Sequence, residues 1–203
     1  SEMEDELEDL LAATGLTEFT DRMAGDLSGG MKQKSALICA LIHRPEVLLL
    51  DEPTRGVDPV SRRDLWQIVY GLPADGVTVI VATPDADEAE RCSRLGVMAD
   101  GAIIETGTPQ ELVDRHTARL VEITAANQRA ARDVLRQSEG VVAVSGIGGS
   151  LRVSTVEDGP TAEDLVRVLE DDGLEVSEAR EVEPHLDDAL LVLEARRERD
   201  GDE

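Results

Sequence analysis

At 203 residues the chain can hold one medium domain or two small ones, and its 41 % hydrophobic content allows a core that is almost wholly aliphatic, aromatics being 1 %. The formal net charge of −24 repels phosphate backbones and anionic lipid, which argues against nucleic acid as a partner. No apolar run approaches the ~18 residues of a membrane span, so no direct span is expected and membrane association must come through a partner.

The acidic start, Ser1 to Asp9, has no signal-peptide pattern. Cys39 and Cys92 stand alone, and His43, His116 and His185 show no ligand spacing, which fits a reducing cytoplasm without disulfide or zinc; Cys39 lies in an apolar helical run and reads as a buried small hydrophobe.

Met3 to Thr14 reads as an acidic helix with Leu7, Leu10 and Leu11 on one face and Gly15 as its stop. Leu16 to Asp26 links to Leu27-Ser28-Gly29-Gly30-Met31-Lys32-Gln33. Ser28 is a good N-cap, and two glycines let a helix N-terminus approach anionic oxygens closely. The helix that follows runs from about Gly30 to His43. Lys32 and Lys34 sit in its first turn, where the dipole disfavours cations; a nearby polyphosphate would offset that cost, and simple solvation is the alternative.

Val47-Leu48-Leu49-Leu50 does not alternate, so it reads as a short strand buried on both sides, as in parallel sheets. It ends on Asp51 and Glu52, then Pro53. In open α/β sheets ligands gather at the carboxyl ends of strands, and alternation along the strand would aim the two acids apart. A hydrated Mg²⁺ needs a hard oxygen ligand and an attacking water needs a base.

Asp58-Pro59 opens the next helix, with Leu65, Ile68, Val69 and Leu72 apolar, and Val77 to Ala82 is another buried strand. A helix from Asp85 has acids first and Arg91 and Arg94 last, as the macrodipole favours. Leu95–Ala99 and Ala102–Thr106 form a hairpin across Asp100-Gly101, and Thr108-Pro109 starts a short helix. From residue 117 a second unit reads as strand 120–124, helix 128–137, strand 141–145, strand 151–156, helix 161–169, strand 174–182 and helix 186–196, with a frayed acidic tail from Glu198. This order suggests a ferredoxin-like domain. No aromatic follows Tyr70, so its sheet lacks the stacking residues of an RNA-binding version.

The spacing of Leu27–Gln33, Leu48–Glu52 and Val57-Asp58 resembles the ATP-binding subunits of ABC transporters, in the efflux (ABC-2-like) branch. These segments match the family's signature, Walker B strand and D-loop. The resemblance implies an α/β fold: the C-terminal part of a P-loop ABC ATPase domain over residues 1–116, then a small ferredoxin-like α+β accessory domain over 117–203. Val182-Glu183-Pro184 resembles the accessory domain carried by efflux-type members.

It also implies ATP and Mg²⁺ as ligands, a second ATPase subunit and an integral membrane permease as partners, and a place on the inner face of the cell membrane. Glu52 would be the base that orients water, and Asp51 would hold Mg²⁺. Ser28, Gly29, Gly30 and Gln33 would meet ATP held by the opposite subunit, and Asp58 would connect the two sites. The implied function is to energise export. A non-catalytic module pairing with an intact subunit, or a non-transport ABC ATPase, are the alternatives.

Two features depart from the family. No Gly-Lys pair occurs, so the phosphate-binding loop is absent from these residues, and the family's Gln-loop is absent too. The chain is therefore expected to be a C-terminal portion that begins on the helical arm, inactive alone. Pro84 stands where the family's switch histidine follows Thr83, and proline has no side-chain donor for a γ-phosphate.

Only Lys32 and Lys34 are lysines, and every other basic residue is arginine. Such an acid-rich, lysine-poor surface resembles proteins of salt-loving organisms, where the Debye length shrinks to ~3 Å. Thermal unfolding in increasing salt checks this: the midpoint is expected to rise toward molar salt, and a flat or falling curve contradicts the reading.

Overall fold

The computed structural model describes residues 2–201, which divide into two compact units between Pro84 and Asp85. In the first unit α1 (Glu2–Thr14) ends where Gly15 takes φ 69°, a region that suits glycine. α2 (Gly29–Leu41) begins at Ser28, whose Oγ accepts the Met31 N–H at 3.3 Å. β1 (Val47–Asp51) and β2 (Thr78–Ala82) pair in parallel, with Leu49 opposite Ile80 and Asp51 opposite Ala82. α3 (Pro59–Gly71) is the crossover between them, capped by Asp58 with Pro59 in its first turn. Leu37, Leu41, Leu48, Leu65, Trp66, Val69 and Leu72 form the core of this unit.

Three expectations are corrected here. The Val47–Leu50 strand is not buried on both sides: Leu48 is 4 % exposed, but Leu49 is 71 % and its partner Ile80 55 %. Helical side chains pack on the Leu48 face alone among the described residues, so burial alternates along the strand. Cys39 is exposed, because the buried stripe of α2 is Lys34, Leu37, Ile38 and Leu41, at i, i+3, i+4 and i+7, and Cys39 lies off it. Lys34 heads that stripe and its Nζ donates to Asp64 Oδ2 on α3 at 2.9 Å, while Lys32 Nζ donates to the Gly25 carbonyl at 3.3 Å. Protein oxygens, with no phosphate needed, offset both cations at the positive helix end.

In the second unit, α4 (Ala86–Ala89) is a single turn capped by Asp85, so Arg91 and Arg94 fall beyond it and not in its last turn as expected. β3 (Leu95–Ala99) and β4 (Ala102–Gly107) form the expected hairpin. Asp100 and Gly101 both take positive φ, 50° and 77°, as a two-residue primed turn requires. α5 (Pro109–His116) starts on a capping box between Thr108 and Glu111.

β5 (Arg119–Ala125), α6 (Gln128–Gln137), β6 (Val141–Ile147), β7 (Ser150–Thr155), α7 (Ala162–Asp171) and β8 (Val176–Glu181) follow. Their sheet runs β6-β7-β5-β8 with every neighbouring pair antiparallel, the split βαβ arrangement of a ferredoxin-like fold. α6 and α7 bury Ala131, Leu135, Leu165 and Leu169 against Val121, Ile123, Leu151 and Val153 on one face of the sheet.

The last helix, α8 (Leu186–Gly201), serves the other face. Arg152 of β7 donates to Asp188 Oδ2 at 2.8 Å, a pair whose side chains are 15 % and 3 % exposed. Leu186 and Ala189 of the same helix pack with Ala86, Leu112 and Val113 of α4 and α5. That packing draws α4, the hairpin and α5 into one unit with the ferredoxin-like sheet, so compactness changes after Pro84 and not after the expected residue 116. α8 also continues through the stretch from Glu198 expected to fray; residues 202–203 of that tail lie outside the described residues.

The junction of α4 and α8 gathers like charges. Burial and the carboxylates of Asp87, Asp188, Glu90 and Asp85 push the Asp187 carboxyl above its usual range. A raised acid favours the native state below its unfolded pKa and loses that contribution as pH rises through the native value. Asp187→Asn is therefore expected to raise the melting temperature at pH 7. The gain should shrink toward pH 3, where both side chains are neutral, and in molar salt. Melts of the two proteins across pH check this.

Candidate functional site

The positive end of α2 presents hydrogen-bond donors without protein acceptors among the described residues. Ser28 Oγ uses its acceptor side on the Met31 N–H, which leaves the hydroxyl proton free to donate outward. The N–H groups of Gly29 and Gly30 are in the first turn, where no intrahelical acceptor exists. Ser28 and Gly29 are exposed, and Gln33 is half-buried one turn further along.

This helix end abuts the loop that follows β1. A Cβ added at Gly29 would lie 3.4 Å from the Gly56 carbonyl oxygen. One added at Gly30 would meet Ser61 Oγ at 2.5 Å, Ser61 Cβ at 2.6 Å and Asp58 Oδ2 at 3.3 Å. Gly30 is therefore glycine because the first turns of α2 and α3 touch. Asp58 is held in that contact by its cap, with Oδ1 accepting from Val60 N at 3.1 Å and Ser61 N at 3.0 Å. Hydrogen bonds from Ser61 lead the causes that hold the Asp58 carboxyl below its usual value. Sequence reading missed Ser61; its only signal was its place in the first turn after Asp58-Pro59.

The expected alternation along the strand does not reach both acids, because β1 ends at Asp51 and Glu52 lies in the turn that follows. Asp51 closes the strand, exposed, and its carboxylate has no partner among the described residues. Glu52 has left the strand, at φ 44°, a left-handed conformation that costs a non-glycine residue on the order of 1 kcal/mol. Its N–H donates to the Ala82 carbonyl at 2.8 Å, and its carbonyl accepts the Arg55 N–H at 3.1 Å, so ladder and turn enforce that conformation. Glu52 Oε2 accepts from Arg55 Nη1 at 2.9 Å, with Arg55 80 % exposed. Such a solvent-facing pair is worth about 0–1 kcal/mol, weak enough to release the carboxylate. Pro84 is exposed beyond the end of β2.

A hydrated Mg²⁺ on a nucleotide takes one or two carboxylates and fills its remaining positions with water and phosphate. The exposed, unpaired Asp51 suits that requirement. No group of three metal-ligating side chains occurs among the described residues.

Gly30→Ala tests the helix contact. In an open helix the change would gain up to about 1 kcal/mol, whereas overpacking costs about 1–3 kcal/mol. Urea unfolding should show a net loss of stability. Adding Ser61→Gly should recover it, and Ser61→Ala should not, because the offending Cβ remains.

Residues 2–55 match the ABC transporter family model. The chain is 36 % identical over 190 residues to the probable multidrug ABC transporter ATP-binding protein YbhF of Escherichia coli (strain K12), covering 91 % of this chain and 32 % of that protein. It is 32 % identical over 194 residues to the daunorubicin resistance ATP-binding protein DrrA2 of Streptomyces coeruleorubidus, covering 93 % and 60 %. Among solved structures, MJ1267, an ATP-binding cassette of an ABC transporter, is similar with a TM-score of 0.52 and 31 % identity, over 57 % of this chain and 46 % of that one. The chain thus spans about a third of one relative and three fifths of the other. With the α2 end, the acidic strand β1 and the loop that follows it folded as described, it belongs to the family of ABC transporter ATP-binding proteins.

Proposed function

We propose that this chain supplies the signature and Walker B half of an ATPase subunit that energises export through a membrane-embedded permease. The observation that carries the reading is the contact at Gly29 and Gly30, which seats the anion-ready end of α2 against the Gly56–Asp58 loop. In this reading Ser28 Oγ–H and the N–H groups of Gly29 and Gly30 meet the γ-phosphate of ATP held by a second ATPase subunit, with Gln33 beside them. Asp58 carries the state of that contact across the pair.

Glu52 takes a proton from the attacking water once released from Arg55, a role worth ~10²–10⁴ in rate. Asp51 would hold Mg²⁺, which supplies charge neutralisation on the phosphates. These roles all fall within residues 1–116; residues 117–203 are an accessory segment. No helix among the described residues is long and apolar enough to cross a membrane, so the permease would supply the attachment to the inner membrane face.

The chain contains no Gly-Lys-Ser/Thr, so hydrolysis requires that a phosphate loop come from elsewhere. The test supplies the N-terminal half of a relative's ATPase domain together with this chain. Mg²⁺-dependent hydrolysis is expected only from the combination. Glu52→Gln should reduce turnover at least ~10²-fold while ATP binding persists, because the amide keeps the shape but cannot take a proton. Pro84→His should raise the rate if a donor is missing there. Turnover that survives Glu52→Gln overturns the assignment of the base.

A further inference from the structure

We infer that the outer edge of β6 is a docking site for an extended, acidic peptide segment of a partner protein, added as a further strand between α6 and α8. The two edges of the four-stranded sheet differ in kind. β8 carries Glu178, Arg180 and Glu181, and Arg180 is tied to Glu122 at 3.0 Å and Glu178 at 3.5 Å, the charged edge that discourages pairing. β6 reads Val-Val-Ala-Val-Ser-Gly-Ile, with neither charge nor proline. At its start, Arg199 Nη2 donates to the Val141 and Val142 carbonyls at 3.3 Å; no side-chain hydrogen bond to the backbone of residues 143–147 occurs among the described residues.

A groove of about 520 Å³ runs along this edge, lined by residues 141–145 of β6, by Arg136 on α6 and by Leu191, Glu194, Glu198 and Arg199 on α8. The two helices belong to opposite faces of the sheet. α6 packs on the Leu151 and Val153 face, whereas α8 reaches Arg152, which points the other way. A strand added to β6 would therefore send alternate side chains to α6 and to α8.

Charge decides what those side chains are. In a chain of 44 acids and 20 bases, eight arginines are held in ion pairs, Arg44, Arg55, Arg115, Arg119, Arg152, Arg167, Arg180 and Arg197. Arg132 and Arg136 of α6 have no carboxylate partner among the described residues, and Arg132 Nε is buried without an acceptor. The Arg132 guanidinium lies over Gly146 of β6, its Nη2 2.4 Å from where a Cβ would stand, so the missing side chain makes its seat. Peptide residues facing α6 are accordingly acidic, and those facing α8, beside Glu194, Glu198 and the 38 % exposed Leu191, are apolar. A second copy fits less well, since antiparallel pairing of two β6 edges about a two-fold axis normal to the sheet would bring two sets of α6 arginines onto one face.

The probe is a fluorescein-labelled peptide of alternating Glu and Val, as long as β6, titrated into the full chain and compared with an alternating Lys and Val peptide. At ~0.15 M salt the Debye length of ~8 Å suppresses the long-range repulsion of the acidic chain. Saturable binding of the Glu peptide is expected, with slower amide exchange in Ala143–Ile147. Arg136→Glu, at an exposed position, should weaken binding by about tenfold, and the Arg132→Glu/Arg136→Glu pair should transfer preference to the Lys peptide. Absence of saturable binding, or affinity indifferent to charge reversal, overturns the proposal. So does a concentration-dependent dimer that alone protects the β6 amides, which would assign the edge to a second copy.

Discussion

The first turns of α2 and α3 meet so closely that Gly30 has no room for a Cβ beside Ser61, and the candidate site depends on that contact. It brings three separate local features into one place: a helix end with unsatisfied N–H groups, a hydroxyl with a free proton, and a carboxylate fixed by its own cap. Each is common in isolation. Together they form a corner in which the end of α2 and the Gly56–Asp58 loop lie in close contact.

The β1 end of the site obeys a different constraint. Pairing of Asp51 with Ala82 carries the ladder to the last residue of the strand, and the Glu52 N–H extends it by one hydrogen bond while the chain turns. A left-handed Glu52 is the consequence, and its carboxylate meets Arg55. Strain at such a position is retained where the surrounding hydrogen bonds over-determine it, a pattern that recurs at functional sites.

Charge is handled locally in the rest of the molecule. Lys34 and Arg152 enter buried positions because Asp64 and Asp188 meet them, whereas the acids at the α4–α8 junction face one another and raise the Asp187 carboxyl. Arg132 and Arg136, without a carboxylate partner among the described residues, both border the uncharged sheet edge. The bidentate geometry of guanidinium suits them to incoming carboxylates.

Local chemistry was legible from the residues. Caps at Ser28, Asp58 and Thr108, the Asp100-Gly101 turn, the bounds of α6 and the βαββαβ order of the second half all follow from interactions spanning a few residues, and the motif spacing pointed to the family. Burial and the division of the chain were not legible. The Val47–Leu50 run specifies a strand, but which of its faces is covered depends on helices elsewhere in the unit, and Leu49 lies on the open one. α8 has an apolar face whichever partner it takes; only packing sets it against α4 and α5 and so moves the boundary between units to Pro84. The need for glycine at position 30 likewise came from Ser61, thirty-one residues away in the chain and in contact only after folding. Hydrogen bonding and propensity act over short sequence distances and can be read from neighbours, whereas excluded volume and burial are properties of the whole packed unit.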